Sequence, residues 1–258
     1  MSKLSTENRF LDLSDYARPF GKWFAKLLKN TLFTPIHVTF FFGISGLISI
    51  YFIFQNNYYL AAFFILLKSG IDAADGELAR LKKTPSYTGR FLDSIFDFAL
   101  NFIYFATFFL VTKSDLWITF FAFFCIQLQG TLYNFYYVIL RNNSIGGDTT
   151  SRIFETKSPD ALGTENQKNV DILFAIYKLF YGAFDTIIYF FDSEAEHSKS
   201  FPNWFMTFLS IYGLGFQLLI ISAFLIGNLI NYIIPFFILY SVFIPILIMI
   251  RRFFLNHK

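Results

Sequence analysis

The sequence predicts an all-α, polytopic membrane protein. It has six transmembrane helices, an N-terminal amphipathic helix at the membrane interface, and an extra interfacial helix before the fifth span. Three observations predict this. Of 258 residues, 55% are hydrophobic and only 15% charged, where a soluble domain carries about a quarter charged residues. Several apolar runs reach the roughly 20 residues that cross a bilayer as a helix. Polar or proline-containing breaks at 55–57, 82–88 and 113–115 separate the first of these runs and let the chain reverse. The chain divides into an N-terminal cytoplasmic and interfacial segment (1–33), transmembrane helices 1–4 (34–140), a cytoplasmic loop with its interfacial helix (141–202), and transmembrane helices 5–6 with a tail (203–258). Neither a soluble domain nor an internal repeat is expected.

In the first segment, Phe20, Trp23, Phe24, Leu27 and Leu28 recur at helical spacing, with Lys22, Lys26 and Lys29 opposite. That pattern suits a helix at the interface, its lysines toward anionic headgroups; a partner-binding helix is the alternative. The polar, basic lead has no small-residue cleavage site, which argues against a signal peptide. The first span is expected at 35–54 and begins Thr34-Pro35-Ile36-His37-Val38-Thr39. His37 reads as a hydrogen-bonded interface residue. The second span (58–81) holds Lys68 four residues before Asp72, a spacing that pairs the two on one helix face. The third (89–111) and fourth (116–140) follow. Cys125, the single cysteine, reads as a small buried hydrophobe.

From 141 to 202 the composition turns polar and charged, apart from an apolar run at 170–191 interrupted by Lys178 and Asp185. These two lie on one face, so the run reads as a helix along the interface and not as a further crossing. The fifth and sixth spans are expected at 204–226 and 230–250. With six crossings, nearly all lysines and arginines fall on one side, which marks the cytoplasmic face.

The residues that carry chemistry lie between the second and third spans, in DAADGELARLKKTPSYTGRFLDSIFD. Asp72, Asp75, Gly76, Ala79 and Arg80 share one helix face; Gly89, Asp93 and Asp97 repeat every four residues on the next. Pro85 stops the first helix. Two antiparallel helices would bring four carboxylates together near the cytoplasmic end. Each ionised carboxylate at membrane depth costs roughly 2.5–3.5 kcal/mol, and the four repel one another. A divalent cation removes both penalties, and carboxylate oxygens suit Mg²⁺, Mn²⁺ or Ca²⁺ better than zinc. The glycines suit close approach of a flat or bulky ligand to the backbone. Aspartates merely paired with nearby basic residues would explain neither the glycines nor the spacing.

This pattern, D-x-x-D-G-x-x-A-R-(eight residues)-G-x-x-x-D-x-x-x-D, resembles the signature of the CDP-alcohol phosphotransferase (CDP-alcohol phosphatidyltransferase) family, with every signature position matched. The segment Pro35 to Thr39 is similar to the family's P-N-x-[hydrophobic]-T, with Ile36 in place of asparagine. The resemblance implies Mg²⁺ or Mn²⁺ in a two-metal site ligated by Asp72, Asp75 and Asp93, with Asp97 the general base that also touches a metal. It implies nucleotide binding by Asp72, Gly76, Ala79, Arg80 and Gly89.

Gly89-Arg90-Phe91-Leu92-Asp93-Ser94 and the compact six-span layout look like bacterial-type members. These move a phosphatidyl group from CDP-diacylglycerol to a small polar alcohol and release CMP, at the inner membrane with the site facing the cytoplasm. Partners implied are the donor, the alcohol, the lipid bilayer and a second copy in a homodimer; no nucleic acid is expected. Arg90, Arg141 and Arg152 are candidates for holding an acidic acceptor, although positive-inside charge is the simpler account of them. Two other functions fit less well. A CDP-choline or CDP-ethanolamine donor acting on diacylglycerol reverses the arrangement. A divalent-cation transporter would spread carboxylates through the membrane depth.

Overall fold

The computed structural model describes residues 4, 8–143 and 152–255. The middle of the polar loop, 144–151, and the basic tail residue Lys258 lie outside the described residues. Among the described residues every regular element is helical.

Helix α1 (Arg18–Leu28) is amphipathic, and its nearest partner is a neighbouring helix of the chain. Gly21 and Ala25 are buried, and a Cβ added at Gly21 would lie 2.9 Å from the backbone of Ala73. Small residues permit that approach. Phe24 and Leu28 turn inward toward Ala74 and Leu78. Trp23 and Leu27, each 55% exposed, stay outside beside Lys22 and Lys26.

Helices α2 (Pro35–Phe54), α3 (Tyr58–Lys82) and α4 (Tyr87–Thr112) run up, down and up. Thr34 Oγ1 accepts from the His37 N–H at 3.4 Å, and His37 Nδ1 accepts from the Thr34 N–H at 3.0 Å. His37 thus completes a capping box, with Pro35 at the first helical position. α3 ends where Lys83 turns left-handed, φ 55°, just before Pro85. Ser86 then caps α4 by accepting from the Gly89 N–H at 2.8 Å. The links at 55–57 and 83–86 are short, so α3 covers the same thickness as its two neighbours despite its charges. α5 (Leu116–Asn142), capped by Asp115, returns to the end of the bundle where α4 began.

Helix α6 (Gln167–Asp192) is long and apolar enough to cross a membrane. Its contacts place both its ends at one end of the bundle. Val170 packs with Tyr87 and Phe91 at the start of α4. At the other end, Asp192 accepts from Tyr136 Oη at 2.5 Å and from Arg251 Nε at 2.6 Å. Asn143, just past α5, donates to the Ser198 carbonyl at 2.7 Å. Between these ends, Phe180 stacks on Phe98 of α4 at 4.5 Å.

The stretch expected as a straight fifth span is broken. α7 (Asn203–Leu209) and α8 (Leu214–Ile226) are bent by 52°. A short 3-10 turn at Leu13–Asp15 lies in the break, with Ser14 against Gly213 and Gly215. There the Leu13 N–H donates to Ser210 Oγ at 2.9 Å. The last apolar stretch, Ile230–Phe254, contains α9 (Ile233–Tyr240) and α10 (Phe243–Phe254). In all, five helical stretches, or six with the bent pair, are apolar and long enough to cross a membrane.

Two apolar clusters fill the interior. One joins α2, α3, α4, α5, α8 and α9; the other joins α5 to α7 and α10. Several polar side chains inside them bond across helices, as low dielectric favours. Ser49 Oγ meets Tyr104 Oη at 2.5 Å. Gln129 Nε2 donates to the Phe237 carbonyl at 3.0 Å, and Gln217 Nε2 to that of Ile126 at 3.0 Å.

Candidate active site

The antiparallel pairing of α3 and α4 around the 83–86 link brings the aspartates together at one end of the bundle. Asp72, Asp75 and Asp93 each offer an oxygen within 4.8 Å of the others. Asp93 Oδ1 is buried and accepts no hydrogen bond among the described residues. An orphaned carboxylate oxygen facing two further carboxylates fits a hard divalent cation, which would satisfy all three. Asp75 is held on two sides: Thr39 Oγ1 of α2 donates to its Oδ2 at 3.1 Å, and the Gly76 N–H donates to its Oδ1.

Asp97 joins the group through a lysine. Lys68 Nζ donates to Asp72 Oδ2 at 2.9 Å and also to Asp97 Oδ1. The predicted Lys68–Asp72 pair is present, and the same ammonium also bridges α3 to α4. Lys68 is 1% exposed, while Asp72 and Asp97 keep 22% and 14%.

The glycines lie beside the carboxylates. A Cβ at Gly76 would meet only the Arg80 guanidinium within 4 Å, the nearest atom at 3.5 Å. A Cβ at Gly89 would press on Ser86 Oγ at 3.3 Å. Arg80 pairs with Glu77 at 3.1 Å, one turn earlier. The Ala79 carbonyl accepts from the Thr84 N–H at 3.0 Å and so closes the end of α3.

The three candidate acceptor arginines differ in their surroundings. Arg90 forms an ion pair with Glu155 and lies 5.0 Å over the Phe91 ring. Arg152 lies over Tyr87 at 5.9 Å, and Arg141 over Tyr137 at 5.8 Å. Arg18, from the N-terminal segment, forms an ion pair with Asp15.

Several residues at the site escaped the sequence reading. Thr39, read from sequence only as part of the Pro35–Thr39 entry, is one; Tyr16, brought in by the N-terminal segment, is another. Tyr16 lies by Ser69, within electrostatic range of Lys68 and Asp72. The polar loop supplies Glu165, which accepts from the Thr88 N–H at 2.7 Å, Ser86 Oγ at 2.8 Å and the Tyr87 N–H at 3.0 Å. Its carboxylate therefore sits on the exposed amides that begin α4, where the helix dipole favours a negative charge. Burial pushes the Glu165 carboxyl up, but the bonds from Thr88, Ser86 and Tyr87 outweigh it and hold it below the usual carboxylate range. The loop of unassigned purpose thus braces the helix that carries Gly89, Asp93 and Asp97. The only sequence signal was its acidic and amide residues, and their partners lie 77–79 positions away.

Comparison with known proteins gives one match. The family model described as CDP-alcohol phosphatidyltransferase covers residues 32–185, which include every aspartate, glycine and arginine of the motif. No curated protein and no solved structure matches the chain.

Proposed function

This chain belongs to the CDP-alcohol phosphatidyltransferase family of phosphotransferases, and on that premise we propose that it makes a phospholipid from CDP-diacylglycerol and a small polar alcohol, releasing CMP. The observation that carries the proposal is the convergence of Asp72, Asp75 and Asp93 beside two glycines whose backbone lies close to the site. Asp72, Asp75 and Asp93 would hold Mg²⁺ or Mn²⁺. When bound, such an ion neutralises the donor diphosphate and stabilises the charge left on CMP.

The chain's own groups do the rest. Gly76, Ala79 and Gly89 leave room for the cytidine end, and Asp72 and Arg80 bind it. The alcohol oxygen attacks the phosphorus distal to cytidine, and the bond from that phosphorus to the oxygen of CMP breaks. Asp97, one turn beyond Asp93, takes the proton of the attacking hydroxyl. Thr39 and the Gly76 amide keep Asp75 oriented. Arg141 and Arg152 are the candidates for holding an acceptor that carries negative charge. Arg90 is already paired with Glu155, which makes it less apt for that role.

The same reading places the protein in a bacterial inner membrane with six crossings: α2, α3, α4, α5, the bent α7–α8 pair and the Ile230–Phe254 stretch. α6 would lie in the plane of the cytoplasmic interface, a placement supported by the contacts of its two ends. The site then faces the cytoplasm, where cytidine nucleotides are available.

The test supplies purified protein with CDP-diacylglycerol and a panel of alcohols and alcohol phosphates, and in parallel with CDP-choline and diacylglycerol. Mass spectrometry identifies the lipid product. A phosphatidyl product from CDP-diacylglycerol is expected; a product only in the second arm reverses the donor assignment. Asp97→Asn should keep donor binding within about tenfold and lose at least about a hundredfold in turnover. A variant retaining most of its turnover would remove Asp97 as the base.

A further inference from the structure

We propose that the ammonium group of Lys68 takes the place of a second divalent cation in this site, so that the chain holds a single metal ion on Asp72, Asp75 and Asp93. The inference rests on the metal-dependent transfer proposed above and concerns how its four carboxylates are balanced. The motif alone leads to two cations, with Asp97 sharing the second. In the structure, the oxygens that converge within 4.8 Å belong to Asp72, Asp75 and Asp93. Asp97 instead bonds to Lys68, and the same Nζ reaches Asp72.

Three features make this cation a permanent one. Lys68 is 1% exposed and lies on a helix inside the bundle. Its Nζ sits 4.6 Å from the centre of the Phe42 ring, so its uncharged surroundings are aromatic and apolar. A buried ammonium that left its carboxylates would be uncompensated at high cost. A dication seated between Asp97 and Asp72 would therefore have to share both carboxylates with an ammonium a few ångströms away. Like charges at that separation repel strongly in a low-dielectric site.

The arrangement also suits the role of Asp97. With Lys68 on Oδ1, its charge is balanced without a metal, and Oδ2 is left to accept from the attacking hydroxyl. The base and the metal ligands are then divided between two kinds of cation, with Asp72 touching both.

The experiment counts ions. Metal-free protein in detergent is titrated with Mn²⁺, and electron paramagnetic resonance reads both the stoichiometry and any spin coupling between bound ions. CMP release from CDP-diacylglycerol is measured on the same samples. Wild type should bind one Mn²⁺ per chain with an uncoupled spectrum, and Lys68→Met should admit a second ion coupled to the first. Two coupled ions in wild type overturn the proposal; if CMP is still released, the transfer reading survives. A folded Lys68→Met protein that still binds one ion also overturns it. If Lys68→Met does not fold, Asp97→Asn decides: one ion retained at wild-type affinity supports the proposal, and a weakened or lost ion overturns it. Wild type that binds no Mn²⁺ overturns both the proposal and the metal-dependent reading beneath it.

Discussion

Replacing Arg251 with leucine should destabilise the protein more than any change at the lipid-facing surface. Arg251 and Asp192 are both fully buried, and Asp192 accepts from Arg251 Nε at 2.6 Å and Tyr136 Oη at 2.5 Å. Arg251→Leu leaves the carboxylate with a tyrosine hydroxyl but without its ion-pair partner. Breaking a buried pair on one side costs about 3–5 kcal/mol. At about 2–4 °C per kcal/mol for a chain of this size, the melting temperature should fall by roughly 6–20 °C. The lone cysteine supplies the assay: Cys125 is buried, so a thiol-reactive fluorophore reports unfolding in detergent. The double variant Arg251→Leu/Asp192→Leu removes both charges and should recover much of the loss, because the cost lies in the orphaned charge. A fall below about 2 °C in the single variant, or a double variant no better than the single, would refute the claim that this pair anchors the end of α6.

Three further outcomes follow from the same structure. Gly21→Leu should lift α1 from α3, since even a Cβ there meets the Ala73 backbone at 2.9 Å; overpacking of this kind costs about 1–3 kcal/mol, and wild-type thermal stability would contradict it. Glu165 is depressed by its bonds at the start of α4, so its contribution to stability is fully present above the unfolded value near about pH 4.3 and fades as pH falls through the folded value. The melting-temperature gap between wild type and Glu165→Gln should therefore be constant at neutral pH and shrink in acid; a gap unchanged down to about pH 3 would exclude the effect. Alanine at Asp72, Asp75 or Asp93 should lower donor binding together with turnover, and full activity in any of the three would remove that residue from the ligand set.

The motif was legible because helical spacing alone puts Asp72, Asp75 and Gly76 on one face and Gly89, Asp93 and Asp97 on another. Pro85 marked the turn between them. The Lys68–Asp72 pair was legible for the same local reason, at four residues' separation. Its second bond, to Asp97, spans 29 residues and depends on the register of two packed helices. The docking of α1 was hidden in Gly21 and Ala25, whose small side chains carry little hydrophobic signal yet allow the closest backbone approach. The break between α7 and α8 holds the Leu13–Asp15 turn, contributed by the far end of the chain. The six-span expectation rested on apolar runs, and apolarity by itself marks α6 and not α3 as a crossing. In the proposed six-span arrangement, the placement of their ends, which only tertiary contacts reveal, separates the two.

The central claim is that the clustered aspartates of α3 and α4 carry a metal-dependent transfer from a CDP-linked lipid. Its most direct test is CMP release from CDP-diacylglycerol by the purified, metal-stripped protein, before and after Mg²⁺ or Mn²⁺ is restored. The account predicts no CMP in the stripped sample, release on adding either ion, and no recovery by Asp93→Ala under the same conditions. Equal CMP release from the stripped protein, or full recovery by Asp93→Ala, would contradict it.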